Sequence, residues 1–486
     1  MPCAGHVLAP GFIDVHSHSD ELWLIDGRCE GKIRQGVTTE IGGNCGTSVS
    51  PLLGEALAAK RADARAYRFD VQWTTFDAFF TLVEREGVAL NVASLVGLGT
   101  TRRCVAGDDV RPLTREQLTA QERLIRGAIE EGALGVSSGL IYEPGRHAGL
   151  DELVACASAA AAAGAPRYAT HLRSEGDALE DAVIEALTVG ERAGAAVQFS
   201  HHKAAGRRNW GKVHRTLEMI DRARGRGIDA ACDAYPYVAS WTQLDTLLPD
   251  ALRDGGAAAT LERLREPAQA TATALALELA RDPAYGGDGW DTILITGVGS
   301  ERNAELAGVR MDALARRWGM NPAHAAIRLL VDEALRVECA FFSMREDDVA
   351  TVFGAGFCCV GSDASARAYE GITVQGVPHP RTYGTFPRVF GRYARGLRVF
   401  DLGEAIRRMT ALPAERFGLR ERGVVAPGMH ADLVVFDPER VVDRATYEHP
   451  CVPPEGIRDV FVNGRAVVRN GERTGARPGR VLRGGR

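Results

Sequence analysis

Lysine is almost missing from this chain. Among 58 basic residues the only lysines are Lys32, Lys60, Lys203 and Lys212, as expected of a GC-rich coding sequence. A lysine inside a motif therefore carries more information than usual. Long hydrophobic runs are missing too: nothing approaches the ~20 apolar residues of a membrane-crossing helix. The start, Met1-Pro-Cys-Ala-Gly-His6, lacks the basic-then-apolar order of a secretion signal. There is no basic surplus, and a formal net charge of -5 points to neither a nucleic-acid nor a membrane partner. The ten cysteines are scattered through 486 residues with no compact disulfide framework, so reduced thiols in a cytosolic protein are expected. No glycine-rich nucleotide fingerprint follows the first apolar run, which weakens the case for a doubly wound open sheet.

What is present is a rhythm of short apolar runs followed by helical patterns. The runs are Phe12–His16, Val37–Ile41, Ala89–Val96, Leu134–Ser138, Arg167–His171, Ala196–Ser200, Ala230–Tyr235 and Phe357–Gly361. Between them, Thr114-Arg-Glu-Gln117 reads as a capping box opening a helix over 117–131, and Asp151–Ala163 as a second helix stopped by Gly164. Near-continuous apolar strands alternating with helices imply a parallel sheet covered by helices, and eight such units favour an α/β fold of the closed (β/α)8, TIM-like barrel type. Over a hundred residues, about 238–355, separate the seventh run from the eighth. This is read as an inserted segment, a lid over the catalytic face. Beyond Pro413 the pattern changes to strands, Asp432–Asp437 and Val460–Val468, with Asn463-Gly464 as a hairpin turn. The division is thus a barrel over 10–415, a small C-terminal β domain with a tail over 416–486, and residues 1–9 as the remnant of an N-terminal β segment. The Arg/Gly-rich tail after Gly471 is expected to be loose.

In a barrel the chemistry sits at the C-terminal ends of the strands. Here those ends carry His16 and His18, then Cys45, His171, the run His201-His202-Lys203, Tyr235 and Tyr237, and Asp363. Imidazole, thiolate and carboxylate are good zinc ligands. Taken singly, each has a plain explanation: a buried cysteine is usually core, and a lone histidine is usually hydrogen-bonded filler. Their recurrence at the same end of successive strands argues against coincidence.

The chain resembles the amidohydrolase superfamily and, within it, the N-acyl-D-amino-acid deacylases, over nearly its whole length. The matching segments are Pro10-Gly-Phe-Ile-Asp-Val-His-Ser-His-Ser-Asp20, Gly36-Val-Thr-Thr-Glu-Ile-Gly-Gly-Asn-Cys-Gly46, Ser137-Ser-Gly-Leu-Ile-Tyr-Glu-Pro-Gly145, Tyr168-Ala-Thr-His-Leu-Arg-Ser-Glu-Gly-Asp177, Ser200-His-His-Lys-Ala-Ala-Gly206, Asp233-Ala-Tyr-Pro-Tyr237, Gly361-Ser-Asp363, His379-Pro-Arg-Thr-Tyr-Gly-Thr-Phe-Pro-Arg388 and Met409-Thr-Ala-Leu-Pro-Ala-Glu-Arg-Phe-Gly418. The resemblance implies zinc, held tightly by Cys45, His171 and His201. It implies a second, weaker metal site from His16, His18 and Asp363, with Cys45 as bridge where many relatives use a carboxylated lysine. It gives Lys203 and Arg381 to the substrate carboxylate, and makes Tyr235, Tyr237 and Ser240 further candidates for that pocket. His202, one residue from a ligand, should face the other way. The implied reaction is hydrolysis of an N-acyl-D-amino acid. Zinc lowers the pKa of its bound water toward neutrality, giving hydroxide as nucleophile, and Asp363 takes the water's proton and returns it to the leaving amine.

The sequence departs from the family in three places. Relatives carry some fifty residues before the Pro-Gly-Phe-Ile-Asp segment, and here nine precede it. The C-terminal hairpin is therefore expected to lack partner strands and expose an edge. Leu98 stands where relatives commonly have histidine, and Ala364 where they have glycine. Two other readings compete: a cyclic-amide hydrolase of the dihydroorotase or hydantoinase kind, and a metal-stabilised barrel without catalysis. The side chain accepted and the oligomeric state are not legible.

Overall fold

The computed structural model describes residues 4–484. All eight apolar runs become parallel strands, most with ends displaced by a residue or two: Phe12–Asp14, Val37–Gly42, Asn91–Ser94 continuing as Val96–Gly97, Val136–Gly139, Arg167–His171, Ala196–Phe199, Ala230–Ala234 and Cys358–Val360. The first three pair in order, and the last six form one parallel sheet. The run Asn91–Gly97 belongs to both sheets, pairing with the second strand through one half and with the fourth through the other. Between the eighth strand and the first, Ser17 bridges Ala364 in parallel and the Asp363 N–H donates to His16 O at 2.8 Å. The ring of strands is thereby linked all round. Gly361 lets these two strands approach: a Cβ there would lie 2.6 Å from that of His16.

The strands are buried except at the half-buried first residues Arg167 and Ala196, because helices cover them outside, as a parallel sheet requires. The helix over Arg115–Glu130 begins with the capping box, Thr114 Oγ1 accepting from Gln117 N–H and the Gln117 side chain accepting from Thr114 N–H. The helix Leu150–Ala162 follows at the predicted place.

Between the seventh and eighth strands the chain builds a body of its own. Strands Ser240–Gln243, Ile293–Val298 and Val337–Phe341 form an antiparallel sheet with Val337–Phe341 in the centre. Helices including Pro267–Arg281, Met311–Trp318 and Pro322–Asp332 pack on it around a separate hydrophobic cluster. Its edge strand, Ser240–Gln243, faces the barrel mouth.

The small β sheet runs Val7–Pro10, Leu433–Phe436, Ile457–Val462, Arg465–Arg469 and Glu472–Arg473, all antiparallel. Asn463 and Gly464 both have positive φ, 49° and 80°, as the tight turn between two of these strands needs. The expected bare edge on the hairpin is not found: Leu433–Phe436 pairs with one of its strands and Glu472–Arg473 with the other, and Val7–Pro10 extends the sheet on the far side of Leu433–Phe436. Nor is the tail loose. Val92 N–H donates to Arg480 O and Leu482 N–H to Val92 O, and Arg483 pairs with Asp77 at 2.8 Å while lying over the Phe80 ring. The tail is ordered because unpaired backbone groups at the foot of the third barrel strand take it up as a partner.

Candidate metal centre

The strand ends bring the six predicted metal-site side chains to one mouth. Cys45 Sγ is at the centre, 3.3 Å from His16 Nε2, 3.4 Å from His201 Nε2 and 3.8 Å from His171 Nδ1. His18 Nε2 lies 3.0 Å from Asp363 Oδ1, which is 3.5 Å from His16 Nε2. Two overlapping groups result, Cys45–His171–His201 and His16–His18–Cys45–Asp363, each with its donor atoms within 4.8 Å of one another. The thiol belongs to both.

The local backbone is bent to achieve this. Cys45, His201 and Asp363 all have left-handed φ, at 51°, 36° and 51°. Such a conformation is costly for residues with a Cβ and persists where surrounding structure fixes it, typically at functional sites. Each lies just beyond its strand, so the turn aims the side chain back over the barrel axis. His202 faces away as expected: its Nε2 is 2.8 Å from Thr216 Oγ1, on the helix side of the strand.

Two carboxylates orient the imidazoles from behind. Asp233 Oδ1 is 3.1 Å from His16 Nδ1, and it also accepts from the His201 N–H at 2.8 Å. Glu175 Oε1 is 3.0 Å from His201 Nδ1. A carboxylate behind a ligating histidine fixes its tautomer and ring orientation. Neither residue received a role in the sequence reading, although both lie inside matching segments.

The electrostatics suit metal binding. Burial by itself would raise the Cys45 thiol, but the His16 and His201 imidazoles bring it well below the ordinary thiol range. Burial would likewise raise Asp363, yet the Arg381 guanidinium, and then His201, hold it well below the usual carboxylate range. One soft thiolate, imidazole nitrogens and a carboxylate match the preferences of zinc, and no lysine stands at the shared position. The donor set fits the metal.

The substrate-side candidates divide. Lys203 Nζ lies 2.8 Å from His201 Nδ1 and pairs closely with Glu175. Arg381 places Nη2 2.9 Å from Asp363 Oδ2, with its Cζ 4.5 Å from the Tyr235 ring centroid. Its Nε and Nη1 are buried and have no hydrogen-bond partner. Lys203, Arg381, Tyr235 and Ser240 line a cavity of about 270 Å³ together with His18, His171, His201 and Asp363. Tyr237 does not reach it. Pro236 turns the chain after Tyr235, and Tyr237 instead packs edge-on against His379 at 5.2 Å and donates its hydroxyl to Pro380 O at 3.4 Å. It supports the loop that carries Arg381. Sequence reasoning missed Tyr142, Trp241, Glu338 and Arg367, which also line the cavity; Tyr142 and Arg367 lie in loops, and Trp241 and Glu338 on strands of the insertion that the sequence reading did not place.

The amidohydrolase family model matches residues 3–468. An N-acyl-D-glutamate deacylase of Alcaligenes xylosoxydans xylosoxydans is 38% identical over 484 residues, covering 99% of this chain and 88% of that protein. The crystal structure of an N-acyl-D-glutamate deacylase from Bordetella bronchiseptica, complexed with zinc and a phosphonate mimic of the tetrahedral intermediate, is 36% identical and superposes with a TM-score of 0.81, covering 99% of this chain and 90% of that one. A D-aminoacylase structure, reporting the functional role of a binuclear metal centre with one-metal activation and second-metal attenuation, gives 34% identity and a TM-score of 0.82 over the same shares.

Proposed function

The chain belongs to the amidohydrolase family, and we propose that it is a zinc-dependent deacylase that hydrolyses the amide bond of N-acyl-D-amino acids to a carboxylate and a free D-amino acid. The observation that carries this reading is the contact between two kinds of chemistry. A cysteine-centred histidine cluster ends at Asp363, and Asp363 is bonded to Arg381, whose remaining donors are buried without partners. A hydrolytic centre thus adjoins a carboxylate-binding fork.

Cys45, His171 and His201 would hold the tightly bound zinc, and His16, His18 and Asp363 a weaker second ion. Zinc bound there supplies Lewis acidity, acidifying water and polarising the scissile carbonyl. Asp363 accepts the proton of the attacking water and delivers it to the leaving nitrogen as the carbon–nitrogen bond breaks. Its lowered pKa keeps it ionised, the form a base requires. Arg381, whose Nη2 also holds Asp363, and Lys203 take the α-carboxylate as the two cations beside the metal ligands. Glu175 and Asp233 hold the imidazoles in place. The Ser240–Gln243 edge covers the mouth and limits water.

The barrel is assigned to residues 10–415, with the insertion at about 238–355, and the small β domain with its tail to 416–486. A cytosolic site fits the thiols: all nine cysteines among the described residues are free. No helix among those residues is long and apolar enough to cross a membrane.

The test is an activity screen over N-acetyl-D- and N-acetyl-L-amino acids and a hydantoin, with and without added zinc. Zinc-stimulated release of D-amino acids is expected. Hydrolysis of the hydantoin alone would favour the cyclic-amide reading, and zinc binding without any hydrolysis would favour a non-catalytic barrel.

A further inference from the structure

One cation in the cavity is left over once the metal and the α-carboxylate are provided for. Arg367 follows the eighth strand by a short loop and is 4% exposed. Its Nη1 donates to Gln375 O at 2.9 Å. Its Nη2 is 3.8 Å from Glu338 Oε2, too far for a hydrogen bond. Its Nε is buried and has no partner. A guanidinium carries five N–H donors, and burying one so sparsely bonded is costly unless an anion completes it. The cavity is where that anion would enter, since Arg367 lines it beside Trp241 and Ser365.

Position narrows the anion further. The Cζ atoms of Arg367 and Arg381 lie 5.2 and 5.7 Å from the centroid of the same Trp241 ring. Both guanidiniums therefore gather round one ring in one cavity, and the side chain of a ligand held at Arg381 meets Arg367 as a further cation of the lining. We infer that Arg367, stacked on Trp241, forms a side-chain subsite for a second carboxylate, so that the substrates of this enzyme are N-acylated D-amino acids with acidic side chains. This rests on the deacylase reading. Glu338 is the gatekeeper of the subsite. Its side chain is 37% exposed and only loosely associated with Arg367, so it turns to water when a substrate carboxylate takes its place. Selectivity follows from the cost of leaving Arg367 unpaired when a neutral side chain is bound.

The experiment compares kcat/KM for N-acetyl-D-aspartate and N-acetyl-D-glutamate against N-acetyl-D-leucine and N-acetyl-D-methionine, in zinc-loaded wild type, Arg367→Gln and Glu338→Gln. Wild type is expected to favour the acidic pair by about tenfold or more, Arg367→Gln to lower the acidic-to-neutral ratio by about that factor, and Glu338→Gln to raise it several-fold. Glu338→Gln alters a partly exposed side chain and keeps the test open if Arg367→Gln does not fold. Wild type preferring neutral side chains, or a ratio unmoved in a folded variant, overturns the subsite while leaving the deacylase reading intact. No hydrolysis of any N-acyl-D-amino acid overturns both.

Discussion

Arg381 Nη2 lies 2.9 Å from Asp363 Oδ2, so the side chain assigned to the substrate carboxylate is bonded to the side chain assigned to proton transfer. Substrate binding and chemistry therefore share one contact. The guanidinium fork keeps Asp363 ionised with one nitrogen and has two donors left for the ligand. Arg381→Lys is predicted to raise KM and also to lower kcat, with kcat/KM falling by about 10²-fold or more, because a point charge replaces a planar fork. Steady-state kinetics on one N-acetyl-D-amino acid checks this. A change in KM alone would mean that Arg381 serves binding only.

The thiol of Cys45 is the atom both metal groups share. Cys45→Ala is predicted to release zinc, lowering affinity by about 10²-fold or more in competition with a chromophoric chelator, with activity lost in parallel. Removing Glu175 is a milder change: Glu175→Gln is expected to lower zinc affinity by about 10-fold. Unchanged zinc occupancy in Cys45→Ala would displace Cys45 from the centre of the site.

Lys32 is a buried clasp between strands. Its Nζ donates to Asp14 Oδ2 at 2.6 Å, Ser362 Oγ at 2.6 Å and Ala364 O at 2.9 Å, and lies 3.0 Å from Glu40 Oε1. It ties the first, second and eighth strands together just below the metal ligands. Lys32→Met would leave Asp14 and Glu40 buried without their cation, a loss of about 3–5 kcal/mol. Urea unfolding monitored by fluorescence checks the size; a loss below about 1 kcal/mol would place the network among weakly contributing ion pairs.

Glu346 makes stability depend on acid. Burial raises its pKa, but hydrogen bonds from Arg392 Nε, at 3.0 Å, and Tyr393 Oη, at 2.6 Å, outweigh it, so the carboxyl titrates below its ordinary value. A folded-state pKa lowered in this way contributes stability that is fully present above the unfolded value, about 4.3, and is lost as pH falls through the folded one. The stability difference between wild type and Glu346→Gln should thus be constant from pH 6 to 8 and shrink as the pH drops below about 4. A difference that grew on acidification would reverse the sign of this account.

Much of the fold was legible in the sequence because the barrel strands are continuous apolar runs. Strand order alone gathers His16, His18, Cys45, His171, His201 and Asp363 at one end of the barrel, while their division into two metal sites came from the resemblance. Lys32 shows the limit. Its role is to neutralise two buried carboxylates, which depends on three strands meeting and leaves no spacing to read in the sequence. Tyr237 was misplaced because a proline between two tyrosines turns the chain, and a strand's alternation cannot be carried through it. The tail was misread because composition describes a free chain, and this one finds unpaired backbone to bind. Arg367 and Trp241 stayed invisible since a loop and an edge strand of the insertion meet only in space.

The most direct test of the whole account is to replace Asp363 by asparagine and measure bound zinc and turnover on the same preparation. The account predicts zinc at the tight site close to wild type, because Cys45, His171 and His201 are untouched, and kcat reduced by about 10³-fold or more, because no group remains to accept and return the proton. Turnover near the wild-type rate with zinc bound would contradict it.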